Sequence, residues 1–166
     1  MTTPVTDEMI EESLQKVAAM STNPIAGLFG MESKMWELGK YNVGFLGSYR
    51  AVLLQIAHPW VANAVIQHSK FFDEPLKRFH QTFHIVFGLT WGSVDQALAM
   101  ARRLHRMHTM IQGPMPETEG VFDEASLYQA NEAGALLWVH ATLWETYVKI
   151  FELAVRPLGE EEKEQF

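Results

Sequence analysis

An all-α fold is the class that this 166-residue sequence predicts, and three observations predict it. Apolar residues recur three and four positions apart over most of the chain, which lines one face of a helix. No stretch alternates apolar and polar residues as a half-buried strand would. Segments of helical length are separated by short breaks rich in Gly, Pro, Ser and Asn. The length suits one domain over residues 1–166, a helical bundle with a core of its own.

The first helix is expected from Thr6, an N-cap followed by Asp7 and Glu8, which suit the positive end of a helix dipole. It should run to about Met20, where Ser21-Thr22-Asn23-Pro24 breaks it. Residues 27–47, rich in Gly and aromatics, read as a loop with one short helix. Residues 48–58 are apolar with few breaks and predict a buried helix that Pro59 kinks or ends, with a continuation over 61–68. A turn at Phe72-Asp73-Glu74-Pro75, capped by Asp73, opens a helix with Leu76, Phe79, Phe83, Val86 and Phe87 on its apolar side, interrupted at 88–93. Ser93-Val94-Asp95-Gln96 has capping-box spacing and opens a helix to about Ile111, stopped by Gly113-Pro114. Residues 115–120 read as a mobile Pro/Glu loop. The last long helix should start between Ser126 and Asn131 and close near Val155, ahead of Arg156-Pro157. From Gly159 onward the composition is that of a further amphipathic helix beginning. It predicts that the natural protein continues past Phe166 or that a partner completes the fold.

The formal charge of −7 argues against a nucleic-acid groove, whose affinity comes from neutralising phosphates. The local exception, Arg102, Arg103 and Arg106, reads as a solvated helix face or as an anchor for carboxylates or propionates. With no cysteine, thiolate zinc sites, iron–sulfur clusters, catalytic thiols and disulfides are closed to this chain, and a reducing compartment fits. Residues 1–10 show no basic stretch leading into an apolar one, so no signal peptide is read. The longest apolar stretches, 51–57 and 133–139, fall well short of the roughly 20 residues that span a bilayer. The expected location is the cytoplasm.

Seven histidines carry the chemistry, four of them as the helix-spaced pairs His80/His84 and His105/His108. His80 and His84 lack the intervening glutamate of metallopeptidase helices and read as a surface pair. His58, His68 and His140 stand singly, the case in which a structural role is the commoner one. His140, inside the hydrophobic run Trp138, Val139, Thr142, Trp144 and Val148, is expected buried or beside a pocket. A di-iron bundle needs Glu-x-x-His on two helices, and a hydrolase elbow needs Gly-x-Ser-x-Gly; neither occurs. Arg78 and Thr82, four residues apart, place a cation and a hydroxyl on one face of an otherwise aromatic helix, and His108 lies on the next long helix. A flat apolar cofactor between two such helices would take one imidazole as ligand and meet the polar pair on its other side.

Gln55-Ile-Ala-His58-Pro59, Arg78-x-x-x-Thr82, His105-x-x-His108-x-x-x-x-Gly113, Tyr128-x-Ala130 and Trp138-Val-His140-x-Thr142 together resemble the latex-clearing-protein (rubber oxygenase) superfamily, in order and rough spacing. That superfamily includes a fungal oxygenase of mycophenolic acid biosynthesis. Each motif alone is common; the ordered set, over residues 44–151, is fairly specific. The resemblance implies an all-helical fold of rubber-oxygenase topology binding haem b. It makes His108 the iron ligand, Arg78 and Thr82 the catalytic polar pair opposite, and His105, His58 and His140 further residues of the cofactor site. The implied chemistry is O2-dependent oxygenation or cleavage of apolar, often isoprenoid, molecules. Two departures stand out: Gln81 occupies the place of a lysine just before the motif threonine, and residues 59–71 contain no carboxylate where an acidic residue is proposed as base. The resemblance therefore carries haem further than it carries cleavage of polyisoprene.

The leading expectation is thus a haem-b oxygenase or peroxygenase-like enzyme with a cavity lined by Phe79, Phe83, Phe87 and Trp138. Two rivals stand beside it. One is a non-catalytic helical module whose nine methionines and many aromatics bind a hydrophobic ligand or protein. The other is a zinc or non-haem iron site built from His80, His84 and His105 or His108. An exposed apolar groove is expected beside Trp138 and Trp144, covered by a second copy of the chain or by further residues.

Overall fold

A computed structural model describes residues 3–69 and 73–166. Helix α1 (Asp7–Met20) is capped by the Thr6 hydroxyl, which accepts from the Met9 N–H at 3.2 Å. After α2 (Lys34–Gly39) and a 3-10 segment over Asn42–Gly47, α3 (Ser48–Gln55) leads into α4 (Pro59–His68). Pro59 does not kink a continuing helix; it starts α4 at the first-turn position, where its missing N–H is no loss.

Helix α5 (Pro75–Trp91) has Glu74 at its N-cap position, with the Glu74 carboxylate 2.9 Å from Lys77. Phe72 of the expected turn lies outside the described residues. The helix passes through Gly88 without interruption. A Cβ there would lie 3.0 Å from the Met100 side chain, so this glycine serves close packing on α6 (Val94–Thr109) rather than chain breaking. Both bonds of the Ser93/Gln96 capping box form, at 3.0 and 3.3 Å.

The chain between α6 and α7 (Ala133–Ala154) departs most from expectation. Strands β1 (Gln112–Pro114) and β2 (Leu127–Gln129) pair antiparallel with Gly113 opposite Tyr128. Three residues per strand are too few for alternation to register in the sequence. The Pro/Glu loop between them sends Met115 into a cluster with Trp60 and Tyr128, where Met115 is buried to 1% exposure. Helix α7 begins later than expected because Glu132 caps it, accepting from the Ala135 N–H at 2.8 Å.

Helix α5 packs along α6, α1 against α6, and α7 against α3 and the 3-10 segment before it. A second cluster joins Leu38, Val148, Phe151 and Leu158. Beside it the Tyr147 hydroxyl donates to the Leu38 carbonyl at 2.6 Å, and burial pushes its ionisation up to about 12. Helix α7 leaves Leu137, Trp138, Leu143 and Trp144 exposed. A shallow groove there is lined by His140, Trp144, Lys163 and Phe166. His140, expected buried or beside a pocket, is exposed and lies beside this groove, on the side of α7 turned away from the core.

Two polar clamps fasten the ends. Asp7 meets His105 Nε2 at 2.9 Å, and Glu11 takes two bonds from Arg102 at 2.5 and 2.9 Å, joining α1 to α6. Removing the His105 ring, only 6% exposed, takes away buried contact and the bond to Asp7 together. His105→Ala should lower unfolding stability by about 2 kcal/mol in a denaturant titration; an unchanged midpoint would show that the clamp contributes nothing.

At the other end, Glu162 of α8 (Glu160–Gln165) accepts from Arg156 at 2.8 and 2.9 Å, from the Gly159 N–H at 3.2 Å and from Lys34 at 3.4 Å. These partners, Arg156 foremost, hold its carboxyl at about 2, below the ordinary 4.5. A depressed carboxyl stabilises the fold fully above its ordinary value, and this contribution disappears as the pH falls through the folded value. The α8 clamp should therefore weaken as the pH falls from 4.5 toward 2, and Glu162→Gln should release it at neutral pH. NMR of Phe166, whose ring centroid lies 4.9 Å from that of Tyr147, reads this directly; an unmoved Phe166 resonance in the variant would refute the clamp.

Candidate functional site

A cavity of about 490 Å3 lies among α4, α5, α6, β2 and the start of α7. Its walls are helical stripes. Val61, Ala64, Val65 and His68 recur on one face of α4; Glu74, Lys77, Arg78 and Gln81 do so at the start of α5; Met107, His108 and Ile111 follow α6. Ala135, Leu136 and Val139 of α7, with Ala130 and Trp60, complete the apolar wall. The cavity thus has an apolar side from α4 and α7 and a polar side from α5.

His108 and Arg78 share this cavity. Burial pushes the His108 imidazole below its ordinary value, and the nearby charges of Arg78 and His105 push the same way. The ring is therefore neutral near pH 7, with a lone pair to give. Burial also acts against the charge of Arg78, which donates to Thr82 Oγ1 at 3.1 Å, while the Thr82 hydroxyl donates to the Arg78 carbonyl at 3.0 Å. Thr82 thus stands behind Arg78 and steadies it. Lys77 is paired with Glu74, leaving Arg78 as the cavity's cation without a carboxylate partner among the described residues.

Other expected site residues lie elsewhere. The His105 ring is engaged by Asp7 on the α1 side of α6. His58, at the N-cap of α4, lies between Phe122 and Trp138 with ring centroids 5.2 and 6.4 Å away. Its buried Nδ1 has no hydrogen-bond partner among the described residues, and burial pushes its ionisation down. His140 lines the separate shallow groove. His80 and His84 are exposed on α5. Phe79, Phe83 and Phe87 do not line the cavity: α5 turns them toward Phe45, at centroid distances of 5.8, 4.4 and 6.0 Å. Trp138 donates its indole N–H to the Leu54 carbonyl at 2.9 Å and stays outside the lining.

Sequence reading passed over Trp60 and Ser69 in the lining, read His68 as structural, and quoted Tyr128 as a motif residue without linking it to His68. The signal for His68 was its place at the end of the stripe 61, 64, 65, 68. The Ser69 hydroxyl and the Trp60 indole N–H are buried with no hydrogen-bond partner among the described residues.

These residues fit a flat, apolar, iron-bearing cofactor. The described residues assemble no group of three or more His, Cys, Asp and Glu able to hold a metal ion, so iron at His108 would need its remaining ligands from the cofactor itself. A porphyrin brings four nitrogens, and the apolar walls would contact its faces. Arg78 suits an anionic propionate or a polar ligand on the iron. Among the described residues no helix is long and apolar enough to cross a membrane.

No individual curated protein and no solved structure matched the chain. The family described as ER-bound oxygenase mpaB/B'/Rubber oxygenase, catalytic domain, matches residues 35–166, which include the whole cavity. The chain belongs to this family of oxygenases.

Proposed function

We propose that the chain is a haem-b-dependent oxygenase of hydrophobic small molecules. The observation that carries this reading is that a neutral imidazole, His108, with no hydrogen-bond partner among the described residues, and a guanidinium, Arg78, with no carboxylate partner among them, face one half-apolar cavity. His108 would hold the iron. When bound, the haem supplies O2 activation, which amino-acid side chains cannot provide. Arg78, steadied by Thr82, would orient a polar ligand or a propionate with its guanidinium N–H groups. The walls from α4 and α7 would exclude water and hold the apolar body of the substrate. A cysteine-free chain fits a reducing compartment, in this reading the cytoplasm.

A second reading rests on the exposed apolar face of α7 and the shallow groove at Trp144 and Phe166, which would suit a non-catalytic module binding a hydrophobic ligand, a protein or a second copy. Absorption spectroscopy separates the two: a Soret band after haem addition supports the oxygenase, and its absence the binding module. In the oxygenase, His108→Ala abolishes the band, whereas His68→Ala and His105→Ala keep it. Arg78→Ala and Thr82→Ala keep the haem but lower turnover by about ten- to a hundred-fold, as loss of groups supporting a metal site commonly does. Equal haem content in wild type and His108→Ala would defeat the assignment.

A further inference from the structure

His68 closes α4 at the cavity, and its Nε2 lies 3.0 Å from the Tyr128 hydroxyl. Tyr128 is fully buried, and its hydroxyl donates to Gln67 Oε1 at 2.8 Å. A phenol has one proton to give, and a glutamine carbonyl oxygen can only accept. With that proton committed to Gln67, Tyr128 can meet His68 only as an acceptor. In this arrangement His68 donates from Nε2 to the Tyr128 oxygen, and no hydrogen bond to its Nδ1 is present among the described residues.

The surroundings keep this arrangement in place. Gly113, paired with Tyr128 across β1 and β2, leaves room for it: a Cβ at 113 would lie 2.6 Å from the Tyr128 oxygen and 2.9 Å from Gln67 Oε1. Burial raises the Tyr128 ionisation, so the phenol stays a neutral anchor. His68 sits in the last turn of α4, on the cavity lining. Among the described residues the other charged or titratable groups on the cavity are Glu74, Lys77 and Arg78 of α5 and His108 of α6. Glu74 is paired with Lys77, and Arg78 and His108 serve the oxygenase as donor and iron ligand.

We infer that His68 is the proton acceptor of this cavity, with Tyr128 as its positioning residue, and that the molecule bound there carries a weakly acidic hydroxyl on an apolar frame. The hydroxyl hydrogen bonds to Nδ1. When the proton transfers, His68 becomes an imidazolium still bonded through Nε2 to Tyr128, and the electron pair stays on the ligand oxygen. The inference rests on the oxygenase reading for the later chemistry of the deprotonated ligand, but the proton acceptor is tested without turnover.

The test uses the full chain, loaded with haem and held in its diamagnetic carbonyl-ferrous form, with 4-fluorophenol as probe. Nitrogen-15 NMR should show His68 as the Nε2–H tautomer, and Tyr128→Phe should turn it into a mixture. The probe should bind about three- to ten-fold more weakly to His68→Phe, the loss of one hydrogen bond, and its fluorine resonance should lose the shift that donation to Nδ1 causes. Tyr128→Phe should fall between, with unfolding midpoints confirming that both variants fold. A wild-type proton on Nδ1, no binding of the probe, or equal binding to wild type and His68→Phe would each overturn the inference. A wild-type chain that takes up no haem defeats the oxygenase reading instead, and the tautomer and probe measurements on that chain still decide His68.

Discussion

The ladder Phe79–Phe83–Phe87–Trp91, stepping along α5 at centroid distances of 4.5, 5.7 and 5.0 Å and packed on Phe45, sets the rotation of α5 about its own axis. Aromatic pairs of this kind contribute about 0.5–1.5 kcal/mol each beyond the area they bury. With that face committed to Phe45, Glu74, Lys77, Arg78 and Gln81 are left for the cavity. Turning α5 by one residue would carry Arg78 toward the rings and expose phenylalanines, a charge burial that nothing in the ladder could compensate. The aromatic residues matter to the site because they face away from it.

The short hairpin plays the complementary part for α4. Tyr128 on β2 and Met115 just beyond β1 pack on Trp60, while Tyr128 also bonds His68 and Gln67 at the far end of the same helix. One buried side chain thus joins the hairpin to both ends of α4, and α4 supplies the apolar wall. His108, five residues before Gly113, is tied to the same hairpin, since the Ala130 N–H bonds back to the Ile111 carbonyl at 2.9 Å. The iron-ligand candidate and the proton-acceptor candidate therefore share one support.

The helical class, most helix starts and the caps at Thr6 and Ser93 were legible because each rests on a local pattern: apolar period, a hydroxyl at the cap, Gly or Pro at the end. Arg78, Thr82 and His108 were singled out by spacing and resemblance; the structure brings Arg78 and His108 to one cavity with Thr82 behind, and their roles there are proposals. What escaped was set by tertiary contact. The β1–β2 pair is too short to show a period, and Gly88 reads as a breaker until Met100 is seen across it. His68 at the end of the α4 stripe and Tyr128 in its motif are each marked in the sequence, but they lie sixty residues apart and meet through the hairpin, so no local pattern joins them.

The cavity's charge depends on two substitutable positions on α5. Lys77 is neutralised by Glu74 within one turn, and Gln81, where the rubber-oxygenase resemblance leads one to expect a lysine, adds no charge. Arg78 therefore sets the sign of the polar wall, and Thr82 fixes where that charge points. A guanidinium cannot lose its proton near neutral pH, so it can orient an anion or a polar ligand but cannot accept a proton. Proton acceptance has to come from another wall, and among the described lining residues we assign it to His68, bonded to Tyr128 through Nε2 and left with its other ring nitrogen to offer. Electrostatic orientation from α5 and proton acceptance from α4 are separate tasks on separate helices, which lets either be altered by substitution without moving the other.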